Sequence, residues 1–437
     1  MSMSGVENLA RLPELKKKLL WTFFLLFIYR IGVHVPVPGV DSIALADFFE
    51  SAKNTLFGLF DMFSGGGLRN LSIFALGIMP YISASIILQL LQVVSPELAR
   101  MQKEEGAEGR KKITQYTRYG TVLITVIQGF GIAVGLENMT SPTGAPVVID
   151  PGWAFRLMTV ITLTAGTVFL MWLGEQMTER GIGNGISMII FAGIVAGFPR
   201  AVINTFQLLK AGELSVFVLV FMIALMVAVL VAIVFMERGQ RRIPIQYAKR
   251  MVGRKMYGGQ TTHLPLRVNT AGVIPPIFAS SILLFPATIA NFSQVEWLNT
   301  FSNMFRPQTI LYNVVFVGLI VFFCFFYTAI IFDPKQIADN IRKQGGFIPG
   351  IRPGAKTREY IDKVLTRITL WGSLYISAVC VLPMVMIAQF NVPFYFGGTS
   401  LLIVVGVAMD FMSQIESYLI SRQYEGLVQK GRIKGRR

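Results

Sequence analysis

The chain has few of the residues that build catalytic or metal sites. Its 437 residues include only two histidines and two cysteines. His34 and His263 are far apart and lack neighbours with metal-ligand spacing. Cys324 and Cys380 lie in separate apolar segments without a partner spacing. The sequence also lacks a Gly-x-x-x-x-Gly-Lys phosphate loop and paired catalytic carboxylates. We therefore predict a protein that is not an enzyme and that binds no metal or cofactor.

Charged residues are scarce as well, at 15% of the chain, whereas hydrophobic residues make up 53% and the mean hydropathy is +0.57. A soluble core of this length would use fewer apolar residues, so the sequence indicates an integral membrane protein. A helix needs about 20 residues to cross the hydrocarbon core of a bilayer. Ten apolar runs approach that length, at 19–38, 73–94, 119–136, 153–173, 182–198, 214–236, 270–290, 309–332, 368–388 and 394–415.

The distribution of positive charge predicts the orientation of these spans. The two tails and the loops after even-numbered spans hold 33 of the 40 Lys and Arg residues, whereas the loops after odd-numbered spans hold five. Cytoplasmic loops carry the excess of positive charge, so both termini are expected in the cytoplasm. Arg30 and the Val35–Gly39 run replace the small-residue cleavage site of a signal peptide, so we expect an uncleaved first span.

One apolar stretch of sequence occurs twice in the chain. Gly77–Leu88 recurs as Gly272–Leu283, with the same residue at seven of twelve positions. The offset between the copies maps the first span onto the sixth and the second onto the seventh, which gives two halves of five spans each. An odd number of spans forces the halves into opposite orientations. Paired segments interrupted by Gly and Pro in an inverted repeat mark the functional centre of a membrane protein.

An amphipathic stretch precedes the second span. Phe57, Phe60 and Phe63 form one apolar face of a short helix, which Ser64–Gly67 then interrupts. The stretch is too short and too polar to cross the membrane. Non-spanning helix at membrane depth is tolerated only where it is buried in protein or lines a cavity. The stretch is therefore either a half-helix on a glycine hinge that can enter and leave a pore, or an interfacial helix on the outer surface.

The predicted spans contain almost no ionisable groups. Ion-coupled transporters need carboxylates or histidines in the membrane interior, and Asp410 is the one acid well inside a predicted span. The spans supply isoleucines instead, most of them on shared helical stripes: Ile78, Ile82, Ile86, Ile186, Ile190, Ile277 and Ile282. Such residues commonly pack in a core or face lipid. A ring of them can also gate a pore by excluding water.

Two long basic loops separate spans of the second half. Loop 237–269 alternates Ile243, Ile245 and Tyr247 as a strand would, and it predicts a basic hairpin. Loop 333–367 is similarly basic. Retention of positive charge on the cytoplasmic side would by itself place Lys and Arg here. The length and clustering of the charges favour docking to an anionic partner, such as RNA phosphate or an acidic protein.

Several motifs, in order along the chain, resemble those of bacterial SecY proteins, the channel subunits of the Sec protein translocase. They are Gly77–Leu88, Gly174–Gly185, Glu237–Arg242, Gly350–Gly354 and Pro393–Ser400, and the resemblance runs from about Leu12 to Gly426. It implies an all-α polytopic fold of ten transmembrane helices in two inverted five-helix halves. It also implies passage of unfolded secretory proteins and lateral release of hydrophobic segments into lipid.

The resemblance also implies roles for individual residues. A pore ring is expected from Ile78, Ile82, Ile186, Ile190, Ile277 and Ile403. A plug is expected at about 56–70, including Phe57, Phe60, Phe63, Gly65, Gly66, Gly67 and Asn70. Partner contacts on the cytoplasmic loops are expected from Arg241, Arg242, Arg254, Lys255 and Arg352. Met188 departs from the family pattern and is expected to face away from the ring.

The expected domain order follows from the repeat and the resemblance together. A cytoplasmic N-terminal segment (1–18) precedes a first half (19–200), a second half (201–421) and a basic tail (422–437). The lateral gate is expected between spans 2–3 and 7–8.

The resemblance implies as partners the SecE and SecG subunits, the SecA ATPase, the ribosome, signal-peptide-bearing preproteins and membrane lipids, with no DNA, at the bacterial cytoplasmic (inner) membrane. An inverted-repeat secondary transporter and a membrane insertase are the alternatives.

Overall fold

The computed structural model of the chain is built mainly of long helices. It describes residues 13–41, 44–45, 61, 64–103, 106–137, 139, 146–212, 215–247, 250–252, 255–257, 261–292, 309–390 and 398–431. The helices are α1 (Pro13–Gly32), α2 (Met79–Val94), α3 (Pro96–Lys103), α4 (Gly106–Glu137), α5 (Trp153–Arg180), α6 (Gly185–Ala211), α7 (Val216–Arg238), α8 (Ile274–Phe292), α9 (Ile310–Ile331), α10 (Pro334–Lys343), α11 (Ala355–Phe390) and α12 (Gly398–Gly431).

Each of the ten predicted spans coincides with one of these helices, and α3 and α10 are two further short helices. Among the described residues, seven helices are long and apolar enough to cross a membrane, and α2 and the first part of α8 are shorter apolar helices. The predicted all-α, ten-span organisation agrees with this set of helices.

The boundaries of the first two spans differ from the prediction. Helix α1 ends at Gly32 rather than near residue 38, and α2 begins at Met79 rather than near residue 73. Prolines interrupt helical hydrogen bonding, and here Pro36 forms an antiparallel bridge with Ser72. The chain after α1 therefore lies beside the chain before α2, and neither continues its helix.

The described strands lie between α7 and α11. Strand β1 (Gln240–Tyr247) pairs antiparallel with β4 (Thr261–Arg267), and β5 (Gly346–Phe347) pairs with the end of β1. Strands β2 (Arg250–Val252) and β3 (Lys255–Tyr257) lie between β1 and β4 in the chain and form a second antiparallel pair. The alternation in loop 237–269 predicted such a hairpin, and β1 and β4 form it.

The chain divides into two compact units. The first comprises Met1–Thr205, Ser281–Thr309 and Gly406–Arg437. Within it α4 packs on α5 and on α2, and α1 packs on α5. The ring of Phe74 stacks on the rings of Tyr29 and Phe169, at centroid distances of 6.2 and 6.1 Å. The turns that precede α2 are thereby anchored to both α1 and α5.

The second unit comprises Phe206–Ser280 and Ile310–Val405. Helix α9 packs on α11 through residues spaced three or four apart, which share one face of the helix. These buried residues are Tyr312, Phe316, Ile320, Phe323, Cys324 and Thr328. Helix α7 is different, because only Met222 and Ile233 are buried along it. Its large apolar surface suits contact with lipid or with another membrane helix.

Candidate functional site

The 64–78 segment, which connects the glycine run to α2, is held by side chains of α1. The Tyr29 hydroxyl donates a hydrogen bond to the carbonyl of Ser64 (3.2 Å), and the Arg30 guanidinium donates one to the carbonyl of Gly65 (2.8 Å). Asn70 donates to the carbonyl of Val33 (3.4 Å). The bonds of α1 to the glycine run therefore end on backbone carbonyls, so they fix the path of the chain without requiring particular side chains there.

At Gly65 the segment crosses α6 without any side chain between the two backbones. A Cβ at Gly65 would lie 2.8 Å from the Cα of Gly193 and 2.6 Å from the Tyr29 hydroxyl. The backbone of Gly65 also has a φ of +68°, which L side chains rarely adopt. The predicted glycine hinge is thus a site of close backbone approach.

The structure describes four of the predicted plug residues, Gly65, Gly66, Gly67 and Asn70, as neighbours in this segment. The other three, Phe57, Phe60 and Phe63, lie outside the described residues. The plug assignment therefore stays a prediction for the segment as a whole.

Asp61 holds the start of the segment through hydrogen bonds, and the sequence alone did not identify it as a functional residue. Its carboxylate accepts a hydrogen bond from the Arg69 backbone N–H (2.8 Å), and its carbonyl accepts one from Gly66 (2.8 Å). Burial raises the pKa of the Asp61 carboxyl to about 7, against the opposing influence of Arg200. Asp61 is an acid inside an otherwise apolar stretch next to a glycine run, which is the signal that could have identified it.

Four predicted ring residues lie in the first unit. Ile78, Ile82 and Ile190 are buried, and Ile186 is half-buried. The backbone N–H of Ile82 donates to the carbonyl of Ile78 (3.1 Å), so these two side chains share one face at the start of α2. Ile186 packs beside Gly174 of α5.

The other two predicted ring residues, Ile277 on α8 and Ile403 on α12, belong to the second unit, and both are buried. Gly398 at the start of α12 lies directly against Val379 and Cys380 of α11. This close approach positions the helix that carries Ile403 within its own unit. The ring assignment stays a prediction.

Charged side chains are few within and beside the predicted spans in the described part of the chain. Glu175 on α5 accepts two hydrogen bonds from Arg118 on α4 (2.9 and 2.7 Å). Asp410 is exposed on α12. No group of three or more His, Cys, Asp or Glu side chains within the described part of the chain could hold a metal ion.

The two predicted basic loops form one folded unit, which we call the basic body. It consists of β1, β4, β5, α10 and the start of α11. Its shared apolar core comprises Ile243, Ile245 and Leu266 from the first loop and Ile341, Ile348, Ile361 and Leu365 from the second. Because each loop buries side chains of the other, the body holds its shape through packing.

The surface of the basic body is strongly positive. Its two parts, 240–247 with 261–267 and 332–367, carry eleven Lys and Arg residues against four Asp and Glu residues. Arg241, Arg242 and Arg352 are exposed, which a docking role requires. Arg254 and the side chain of Lys255 lie outside the described residues. An exposed positive surface of this kind attracts anionic partners.

Comparison with known proteins identifies the fold and the family. The SecY family model matches residues 72–412. The chain is 55% identical to protein translocase subunit SecY of Escherichia coli K12, over 97% of this chain and 96% of that protein. It is 53% identical to protein translocase subunit SecY of Pseudomonas aeruginosa, over 99% of this chain and 97% of that protein. The resemblance predicted from the motifs is confirmed.

Solved structures show the same fold at low sequence identity. A protein-conducting channel structure has a TM-score of 0.65 at 18% identity and covers 94% of this chain and 96% of its own. Sec61 in the canine ribosome-channel complex from the endoplasmic reticulum has a TM-score of 0.62 at 16% identity, with the same coverage. The predicted channel fold is therefore confirmed.

Proposed function

The chain belongs to the SecY family, and we propose that it is the channel subunit of a protein translocase. It passes unfolded secretory polypeptides across the membrane and releases hydrophobic segments sideways into the bilayer. The observation that carries the proposal is the non-helical 64–78 segment, which hydrogen bonds from Tyr29, Arg30 and Asn70 and the buried ring of Phe74 hold at the start of α2. Non-helical chain at membrane depth has to be buried in protein or line a cavity.

The segment at about 56–70 acts as the plug of this channel. Its support is the bonding pattern around Gly65: hydrogen bonds to backbone carbonyls and a close backbone crossing of α6. Few apolar side chains would need to be pulled from a core to release it at this crossing. Because the bonds are few and polar, the segment can leave and return without unfolding α1 or α6.

The pore ring comprises Ile78, Ile82, Ile186, Ile190, Ile277 and Ile403. The burial of five of these side chains and the shared face of Ile78 and Ile82 support this role. Branched aliphatic side chains exclude water when the pore is narrow, and they bind no particular side chain of the substrate. The lateral gate opens between the second and third spans on one side and the seventh and eighth on the other.

The basic body receives the partners that drive transport. Its net positive surface, with Arg241, Arg242 and Arg352 exposed, supports docking of the SecA ATPase or of ribosomal RNA. Arg254 and Lys255, which belong to the same loop in the sequence, are the further contacts of this proposal. The chain itself performs no covalent chemistry. SecE and SecG complete the channel in the bacterial cytoplasmic membrane, with both termini in the cytoplasm.

The test is crosslinking during transport. A photoreactive residue is placed at Ile82, at Ile277 or at Phe217 on α7, which is 88% exposed and serves as the lipid-facing control. A hydrophilic secretory chain is then stalled in transit through membrane vesicles. We expect adducts at Ile82 and Ile277 that depend on ATP and the driving ATPase, and none at Phe217.

Three outcomes would overturn parts of this proposal. If the hydrophilic chain crosses the membrane without forming adducts at either isoleucine, the ring assignment is wrong. If the vesicles insert hydrophobic segments but never move the hydrophilic chain, the protein is an insertase without a continuous pore. A substrate-dependent ion flux in place of polypeptide transport would instead identify a secondary transporter.

A further inference from the structure

The turn between β4 and α8 joins the basic body to a helix that carries a predicted ring residue. Asn269 lies in this turn and is only 5% exposed. Its side-chain amide nitrogen donates one hydrogen bond to the Glu237 carboxylate at the end of α7 (2.5 Å) and one to the Gly272 carbonyl (3.1 Å). One buried side chain thus uses both of its N–H groups to tie α7 to the turn that begins α8.

The chain on either side of Asn269 is held just as closely. The Val268 backbone N–H donates to the carbonyl of Gly239 (2.9 Å), and a Cβ at Gly372 of α11 would lie 2.7 Å from the carbonyl oxygen of Val268. The hydroxyl of Thr270 is 3.0 Å from that of Thr328 on α9. The turn therefore contacts three helices of the second unit and has little freedom to move alone.

The bond to Glu237 is the strongest of these contacts in chemical terms. A hydrogen bond to an ionised carboxylate is shorter and about twice as strong as one between neutral groups. A buried amide that loses its acceptor is also destabilising, because an unsatisfied polar group in the interior carries a free-energy cost. The geometry of the turn therefore depends more on the hydrogen bond from Asn269 to Glu237 than on any one of its hydrogen bonds between neutral groups.

The basic body and α8 are continuous through this turn. The body is packed around its apolar core, and the β1–β4 register ends at the pair Gln240–Arg267, directly beside the turn. Helix α8 begins at Ile274, and Ile277 lies within its first turn. Along the chain, a force applied to the surface of the body reaches α8 through the residues of this turn.

We propose that Asn269 is a positioning residue that transmits movement of the basic body to the start of α8, so that docking of the driving partner opens the channel. This inference rests on the proposed function. Asn269 contacts neither the partner nor the transported chain. Its role is to keep the turn rigid, so that a displacement of the body becomes a displacement of α8 and is not absorbed by bending.

The test is the Asn269→Asp variant in the complete translocase. The substitution keeps the shape of the side chain, removes both amide donors and sets a carboxylate beside Glu237. Binding of SecA and SecA-driven transport are measured on the same vesicles, and transport is expressed per bound SecA. We expect binding within about twofold of wild type and transport per bound SecA lower by about tenfold, because a charge-assisted bond is lost.

Two further variants make the test specific. In the double variant Asn269→Asp with Glu237→Gln, the Gln amide can donate to the Asp carboxylate, so the bond is restored in the reverse direction, and transport per bound SecA should recover at least in part. Ser280→Ala removes a hydrogen bond to the carbonyl of Ile277 (2.9 Å) inside α8. This matched control has no connection to the body and should transport like wild type.

The outcomes separate the inference from the proposed function. Partial unfolding would lower SecA binding and transport together and leave transport per bound SecA unchanged, which would contradict a positioning role. Wild-type transport per bound SecA in Asn269→Asp, or no recovery in the double variant, would also overturn it. If wild-type vesicles themselves show no SecA-driven transport, the proposed function fails instead.

Discussion

The glycine run at 64–67 and the basic body are held in place by opposite means. The glycine run depends on hydrogen bonds from α1 to backbone carbonyls and on a bare crossing of two glycine backbones at Gly65 and Gly193, whereas the chain after it is buried through Leu68, Leu71 and Phe74. The basic body depends on an apolar core to which two distant loops contribute. One region is held by a few replaceable polar contacts, and the other by many side chains packed together.

This difference explains which region can move alone. A polar bond in a protein contributes only about 1 kcal/mol net, because water offers an alternative partner. A packed core loses several kcal/mol when one side chain is removed. The glycine run can therefore detach from its surroundings bond by bond, whereas the basic body moves as one piece. These are the properties that the proposed plug and the proposed docking surface need.

The largest effect is expected from breaking the core of the basic body. Leu266 is 0% exposed within it, and Leu266→Asp would bury a carboxylate without a partner, at a cost of more than about 3 kcal/mol. The two loops should separate, SecA binding should fall by more than about tenfold, and limited proteolysis should cut within residues 333–367. Transport driven by SecA should be lost with the binding.

A surface change on the same body provides the control. Lys356 and Glu359 form an ion pair in which both side chains are 70% exposed. Ion pairs this exposed contribute little to stability because solvent screens them, so Lys356→Ala should leave the proteolysis pattern unchanged. If Leu266→Asp also leaves it unchanged, the two loops do not depend on a common core.

A smaller but still clear effect is expected at the crossing of the segment with α6. Gly65→Val would place a side chain where the Gly193 backbone lies, on a residue with a φ of +68°. The backbone conformation alone costs about 1–2 kcal/mol for an L residue, and the overlap adds about 1–3 kcal/mol. The plug should therefore leave its seat, and ion conductance of the resting channel in planar bilayers should rise by about tenfold or more.

The neighbouring Gly66 separates the effect of backbone strain from the effect of overlap with α6. Gly66 has a φ of +88°, but a Cβ there would meet only the end of the Arg69 side chain, at 3.8 Å. Gly66→Ala therefore carries the backbone strain without the overlap, and its leak should be smaller than that of Gly65→Val. Equal leaks in the two variants would mean that strain alone, and not the close approach to α6, controls the seat.

How much of the structure the sequence could predict depends on whether a feature arises from a sequence pattern or from contacts between distant residues. Helical spans and family motifs are patterns that a sequence shows directly, and the helices and the family comparison agree with them. The common core of the basic body joins Ile243 to Ile361, more than a hundred residues apart, so periodicity within either loop could not predict it. The roles of Tyr29, Asp61 and Asn269 depend on which backbone groups lie opposite them, and a single sequence does not contain that information.

The smallest effect is expected from the carboxyl of Asp61, which holds the start of the segment. Burial raises the pKa of Asp61 from its ordinary 3.8 to about 7. A carboxyl that is buried in the seated plug and exposed in the released plug binds its proton more tightly when seated. Protonation therefore favours the seated plug: this contribution is fully present below about pH 4 and is lost as the pH rises through about 7.

The leak of the resting channel should accordingly increase between pH 5 and pH 8, with a slope of at most about tenfold per pH unit for a single proton. Asp61→Asn imitates the protonated acid in shape and charge, so its leak should stay low and independent of pH when both channels are measured in proteoliposomes. A wild-type leak with no pH dependence, or an equal slope in the variant, would remove Asp61 from the mechanism and leave the hydrogen bonds of Tyr29 and Arg30 as the polar contacts that seat the plug.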